Sequence, residues 1–166
     1  MVYVYVKEGF FMRLLVISDS HSRKERLASV LKSEPTADAV FHLGDGAADM
    51  IFLKDCDPRT FFLVRGNCDS AFRQELNDTQ SVTFDGVRIF ATHGHLYNVK
   101  FGLDKLGLFA QMQQYNLVLF GHTHIPTDIY ENGIHFFNPG SLADGCYGCV
   151  DITPKGIICL QKQLKM

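Results

Sequence analysis

Leu14-Leu15-Val16-Ile17-Ser18-Asp19-Ser20-His21 is a short apolar run, rich in branched residues, that delivers a carboxylate and an imidazole two residues apart. A run of that kind fits a strand buried on both faces, so Asp19 and His21 leave its C-terminal end. The same arrangement recurs four times. Ala39-Val40-Phe41-His42-Leu43 ends in Gly44-Asp45, and Phe61-Phe62-Leu63-Val64 precedes Gly66-Asn67-Cys68-Asp69. Val87-Arg88-Ile89-Phe90-Ala91 leads to His93-Gly94-His95, and Leu117-Val118-Leu119-Phe120 leads to Gly121-His122-Thr123-His124. In open α/β sheets, sites form outside the carboxyl ends of the strands, where all five groups are expected to meet. The glycines before Asp45, Asn67 and His122 are expected to permit the tight backbone of a strand-to-loop switch.

Around these strands the chain reads as α/β. Residues 23–33 place Leu27, Val30 and Leu31 at helical spacing, which makes a strand–helix–strand unit and a parallel pair. Asp85-Gly86, between residues 81–84 and 87–91, is a two-residue hairpin signal, as is Asn132-Gly133 between 128–131 and 134–137. A helix is expected over residues 100–115, with Leu103, Leu106 and Ala110 on one face, and Pro154-Lys155-Gly156 precedes a last strand. Parallel units early and antiparallel strands late suit a two-sheet core flanked by helices. There are no internal repeats, low-complexity tracts or linkers.

Two Asp, one Asn and three or four His form a mixed oxygen and imidazole set, suited to Mn, Fe, Zn, Ni or Co rather than Ca. That is too many ligands for one tetrahedral ion. A bridging carboxylate, most simply Asp45, would let two ions sit ~3.5–4 Å apart, a spacing used in phosphate-ester hydrolysis.

These motifs resemble those of the calcineurin-like metallophosphoesterases, whose pattern runs Asp-x-His, Gly-Asp, Gly-Asn-His-Asp/Glu, His, and Gly-His-x-His. The resemblance extends from about Met12 to the C-terminus. Within that superfamily the chain is most similar to the small prokaryotic phosphodiesterases, which share the Gly-Asn-Cys-Asp variant, Thr92-His93-Gly94-His95 and Asn138-Pro139-Gly140-Ser141. The resemblance implies a four-layer α/β/β/α sandwich of two mixed sheets flanked by helices. It also implies two divalent ions, Mn first and Ni, Fe, Zn or Co as alternatives. One would be held by Asp19, His21, Asp45 and His124, the other by Asp45, Asn67, His93 and His122. Asn67, His93 and His95 form the expected catalytic group, with His95 either touching phosphate or the ligands, or packing.

The expected activity is hydrolysis of small phosphate diesters by a hydroxide shared between the ions, with no serine or cysteine nucleophile. A phosphomonoesterase is the nearer alternative. A non-catalytic protein-interaction scaffold, as in a retromer subunit of this fold, is the more distant one, and the complete ligand set argues against it. Two departures stand out. Cys68 occupies a position where many members carry His, the usual leaving-group acid, and no Arg follows Ser141 closely.

Composition bounds the rest. The 166 residues, 46% of them apolar, make one domain with ample core, and a net charge of −2 offers no basic stripe for nucleic acid. Small phosphate esters are therefore the expected partners, with homo-oligomerisation open. Five irregularly spaced cysteines argue against a secreted disulfide framework and for a cytoplasmic location, and Cys146-Tyr147-Gly148-Cys149 reads as structural. Residues 1–11 form an extension ahead of the domain at 12–166, either translated from an upstream start or an added strand. They are too short for a membrane span. His42, His135 and Ser141 read as structural, Asp69 as orienting the Asn67 loop, Asp49 as a helix cap, and Arg65 as a strand-end surface residue within possible reach of a phosphate.

Overall fold

The computed structural model describes residues 2–3 and 11–165. In chain order the strands are β1 (Val2–Tyr3), β2 (Met12–Ile17), β3 (Ala39–His42), β4 (Thr60–Leu63), β5 (Thr79–Phe84), β6 (Val87–Thr92), β7 (Leu117–Leu119), β8 (Thr127–Glu131), β9 (Ile134–Asn138), β10 (Cys146–Thr153) and β11 (Gly156–Gln163). The α-helices are α1 (Lys24–Ser33), α2 (Ala48–Leu53) and α3 (Asp104–Met112). One sheet has the order β11-β10-β2-β3-β4, and the other β1-β5-β6-β7-β9-β8. Strands β2, β3 and β4 run parallel, as do β6, β7 and β9, while three hairpins and the long-range β2–β10 pair supply the antiparallel pairs.

Alternation along β2 accounts for the layers. Leu14 and Val16 face the other sheet, among Phe41, Phe84, Ile89, Leu117 and Phe137. Leu15 and Ile17 face outward onto Leu27, Val30 and Leu31 of α1 and Met50 of α2. The far sheet repeats the plan, with Phe90, Val118 and Phe136 packed on Leu106 and Ala110 of α3. The result is the expected α/β/β/α sandwich. Helix α1 suits its place because its apolar residues recur at i, i+3 and i+4, and because Glu25 in the first turn and Lys32 in the last oppose the helix dipole.

Helix α3 is shorter than the sequence suggests. Short 3-10 turns occupy residues 95–97 and 99–101, and Gly102, at φ 139°, breaks the chain before Asp104. Gln114, at φ 57°, prevents continuation beyond the C-terminal end. Asp49 is not a cap either. It lies inside the first turn of α2, whose N-cap position is Ala47, and approaches Lys24 Nζ at 3.6 Å. At the N-terminus, β1 pairs in parallel with β5, Val2 opposite Val82 and Tyr3 opposite Thr83. Residues 1 and 4–10 of the extension lie outside the described residues. Cys146 and Cys149 both lie in β10 as free thiols. No helix among the described residues is long and apolar enough to cross a membrane.

Candidate metal centre

The C-terminal ends of β2, β3, β4, β6 and β7 converge, and with them all seven sequence-predicted ligands. Five of the seven, Asp19, His21, Asp45, His122 and His124, have φ between 44° and 68°. Asp and His visit this left-handed region more readily than most residues, but holding each one there still costs on the order of 1–3 kcal/mol. Such strain persists only where the surrounding structure enforces it, and here it turns each side chain sharply from its strand into a common space.

The carboxylates are each held by one oxygen and directed by the other. Asp19 Oδ2 accepts hydrogen bonds from Ser18 Oγ at 2.5 Å and the His122 N–H at 3.1 Å. Its Oδ1 is buried without a hydrogen-bond partner, 3.0 Å from His124 Nε2 and 3.9 Å from His21 Nε2. Asp45 Oδ1 accepts the Cys68 N–H at 2.7 Å, while Oδ2 faces His93 Nε2 at 3.5 Å. Burial alone would raise the Asp45 carboxyl, yet His93 and the Cys68 N–H hold it well below the usual carboxylate range.

The imidazoles are oriented in the same manner. His93 Nδ1 lies 2.7 Å from the Leu43 carbonyl, which can only accept, so this nitrogen carries the proton. In the neutral ring Nε2 is then a lone pair, and it faces Asn67 Oδ1 at 3.2 Å and His122 Nδ1 at 3.1 Å. His21 and His124 bring their Nε2 atoms within 3.3 Å of one another. Burial, with His93 and Lys100 nearby, lowers His122 to about 4, so it is neutral and free to bind a cation at physiological pH. Two buried carboxylates facing a group of imidazoles, some of them open to solvent, form a donor set that fits a transition-metal ion. One ligand atom from each of Asp19, His21 and His124 falls within 4.8 Å of the others, as does one from each of Asp45, His93 and His122. Asp45 is also grouped with His21 and Cys68, so it reaches both clusters.

Asp69 orients the Asn67 loop. Nearly buried, it accepts the backbone N–H groups of Asp45, Gly46 and Gly66 at 2.8–2.9 Å, which ties the β3 and β4 loops together. His95 stands behind the ligands, its ring 5.4 Å from that of His93, with Nδ1 buried and unpartnered. Arg65 is engaged by Asp78. His42 is structural: Gly44 N–H donates to its Nδ1 at 3.2 Å and its Nε2 proton reaches Ser20 Oγ at 2.9 Å. Ser141 donates to the Asp19 carbonyl at 3.1 Å, bracing the turn in β2's exit loop.

Three supporting groups had no strong sequence signal. Ser18, the Leu43 carbonyl and Asn138 each orient a ligand or its loop, Asn138 through Nδ2 bonds to Gly121 O at 3.0 Å and Thr123 Oγ1 at 2.9 Å. Of these only Asn138 stood in a recognised segment, Asn-Pro-Gly-Ser.

Residues 12–153 match the family model described as calcineurin-like phosphoesterase superfamily domain. The chain belongs to that superfamily. It is 32% identical over 132 residues to the probable metallophosphoesterase YsnB of Bacillus subtilis, covering 79% of this chain and 75% of that protein. It is 35% identical over 112 residues to phosphodiesterase YfcE of Escherichia coli, covering 60% of this chain and 57% of that protein. The structure of vacuolar protein sorting 29 from Cryptosporidium parvum superposes with a TM-score of 0.77 over 94% of this chain and 93% of that one. At 18% identity that likeness speaks for the fold alone. The protein is thus a phosphoesterase of the metal-dependent class.

Proposed function

We propose that the protein is a dinuclear phosphodiesterase acting on small diesters. The observation that carries this is the convergence of His93 Nε2, Asn67 Oδ1 and Asp45 Oδ2, beside a buried Asp19 Oδ1 that has only the imidazoles of His124 and His21 near it. One ion would be held by Asp19, His21, Asp45 and His124 and a second by Asp45, Asn67, His93 and His122, with Asp45 shared; manganese is the first choice and nickel, iron, zinc or cobalt the alternatives. When bound, such ions supply a nucleophile from water at neutral pH and withdraw charge from the phosphoryl oxygens.

The chain's own groups prepare that chemistry. The Leu43 carbonyl fixes the His93 tautomer, Ser18 and the His122 N–H fix the Asp19 rotamer, and Asp69 fixes the two loops that present Asp45 and Asn67. Beside them a cavity of about 380 Å³ is lined by His21, Ser22, Lys24, Asp49, Cys68 and Phe72 among others, space for an ester substituent. Away from the ligands the cavity offers little positive charge: Lys24 faces Asp49, and Arg65 is engaged by Asp78, so recognition of the phosphoryl group would fall to the ions and the ester substituent would meet a wall of mixed polarity. The name of YfcE points to a diester. A cytoplasmic site of action is part of this reading.

Metal analysis of the purified chain, combined with turnover of nitrophenyl diesters and monoesters before and after chelation, tests it. Two ions per chain that are lost in Asp45→Ala, loss of activity on chelation, recovery with Mn and a preference for diesters are expected. Full activity with metal content verified as zero would sink the metal-dependent reading. A metal-loaded chain inert toward every ester would favour a binding scaffold.

A further inference from the structure

A second set of metal-binding groups lies where the edges of the two sheets face one another. On β9, Phe137 points into the space between the sheets, and alternation places His135 on the same face. Phe137 pairs with Asp128 of β8 and His135 with Tyr130, so these side chains share that inner face. From the opposite sheet Ile157 and Cys159 of β11 pack against the same core. Gln161, two residues further along, spans the gap by donating to the carbonyls of Asn138 at 2.7 Å and Thr127 at 3.3 Å.

A carboxylate, an imidazole and a thiol therefore meet at the rim of an otherwise apolar layer, with one ligand atom of Asp128, His135 and Cys159 each within 4.8 Å of the others. The His135 ring is steadied by Tyr130, with ring centroids 4.5 Å apart. No hydrogen bond engages either of its nitrogens among the described residues. His135 pairs with Leu117, the first residue of β7, toward the end of the sheet opposite the loops of the phosphoesterase centre.

We propose that Asp128, His135 and Cys159 form a separate mononuclear site for a borderline-soft divalent cation of the zinc type. One sulfur, one nitrogen and one oxygen select Zn²⁺ or Co²⁺ over Mg²⁺ or Ca²⁺, and three protein ligands leave a fourth position for water. The ion would join the β8–β9 hairpin to β11, reinforcing an edge of the sandwich that Gln161 already spans with hydrogen bonds. Burial and the adjacent Asp128 push the Cys159 thiol up to about 12, so binding displaces a proton from it.

Cobalt(II) is a suitable probe because thiolate coordination produces a charge-transfer band that oxygen and imidazole ligands do not. Titration of the intact chain should give this band at one ion per chain. The band should vanish in Cys159→Ser, with one fewer ion retained, and its affinity should fall at least about tenfold in His135→Gln and Asp128→Asn, as even outer-sphere partners of a metal are worth that much. Cys68→Ser should leave it intact, although Cys68 is near other potential ligands. Circular dichroism and ester turnover of Cys159→Ser should match the parent. Absence of a thiolate band, survival of the band in Cys159→Ser, or its loss in Cys68→Ser alone would overturn the proposal. Should Cys159→Ser not fold, unchanged cobalt affinity in His135→Gln would overturn it equally.

Discussion

Cys68 stands beside the phosphoesterase centre with a side chain poorly suited to acid catalysis. Its hydrogen bond to Asp45, and then burial, push the thiol up to about 11, and thiols are weak hydrogen-bond donors. Help to a departing alkoxide from this position is therefore slight, whereas aryl leaving groups need little. Nitrophenyl diesters should be cleaved much faster than alkyl diesters, and Cys68→Ser should change aryl turnover by less than about tenfold, below the 10²–10⁴-fold of a positioned acid. A thousandfold loss with folding and metal content intact would place Cys68 in the chemistry. A second residue-scale comparison separates Asp45 from His95. Asp45 reaches ligand groups on both sides of the centre, while His95 stands behind His93. Asp45→Ala should lose both ions and His95→Ala should retain them, as measured by metal stoichiometry. Equal retention would refute a shared role for Asp45.

At the scale of elements, the contact between the exits of β2 and β7 depends on Gly121. A Cβ built there would lie 1.9 Å from Ser18 Oγ and 2.9 Å from Asp19 Oδ2, so Gly121→Ala must push Asp19 and its supporting serine aside. Metal affinity should fall by about 10–100-fold, the loss typical of disturbing a ligand's support. Gly107→Ala is the control: its Cβ meets only Phe136 Cζ at an ordinary 3.8 Å, and alanine favours a helix by up to ~1 kcal/mol, so metal affinity should be unchanged. Deletion of residues 1–11 is a third test. The described part of that segment contributes two pairings at one sheet edge and a Phe11 ring beneath Arg13, and none of the ligands, so turnover should survive with a small fall in melting temperature. Large losses in both would make the segment integral. These contacts also show what a sequence can reveal. The strand ends were legible because an apolar run and a ligand type are both written locally. Gly121 was expected to serve backbone freedom, but its φ is not positive, and the need is for space beside a residue about a hundred positions away. Left-handed φ at Asp19 or His122, and the breaks at Gly102 and Gln114 that shorten α3, likewise arise from tertiary contacts that override local propensity.

For the molecule as a whole, pH stability should reflect Glu34, which ends α1 and ties that helix to the C-terminal hairpin. Its side chain is nearly buried, and Oε1 accepts from Tyr147 Oη at 3.0 Å and Lys162 Nζ at 2.6 Å, residues of β10 and β11. Burial opposes the charge, but the Lys162 and Tyr147 hydrogen bonds prevail and hold the carboxyl below its ordinary value. A carboxyl depressed in the folded state binds its proton more readily when unfolded. Its stabilisation is therefore fully present above the unfolded value of about 4.3 and is lost as pH falls through the lower folded value. Glu34→Gln removes this linkage while keeping the shape. The melting temperature of the parent should exceed that of Glu34→Gln near pH 6, and the gap should narrow steadily from about pH 5 toward about pH 3. Other carboxylates, above all those of the metal centre, contribute acid sensitivity to both proteins and cancel in the difference, provided both are measured in the same metal-loaded state. A gap that stays constant across that range would mean that the ion pair is silent and that α1 is held to the hairpin by Tyr147, Cys149 and the apolar contacts beneath it.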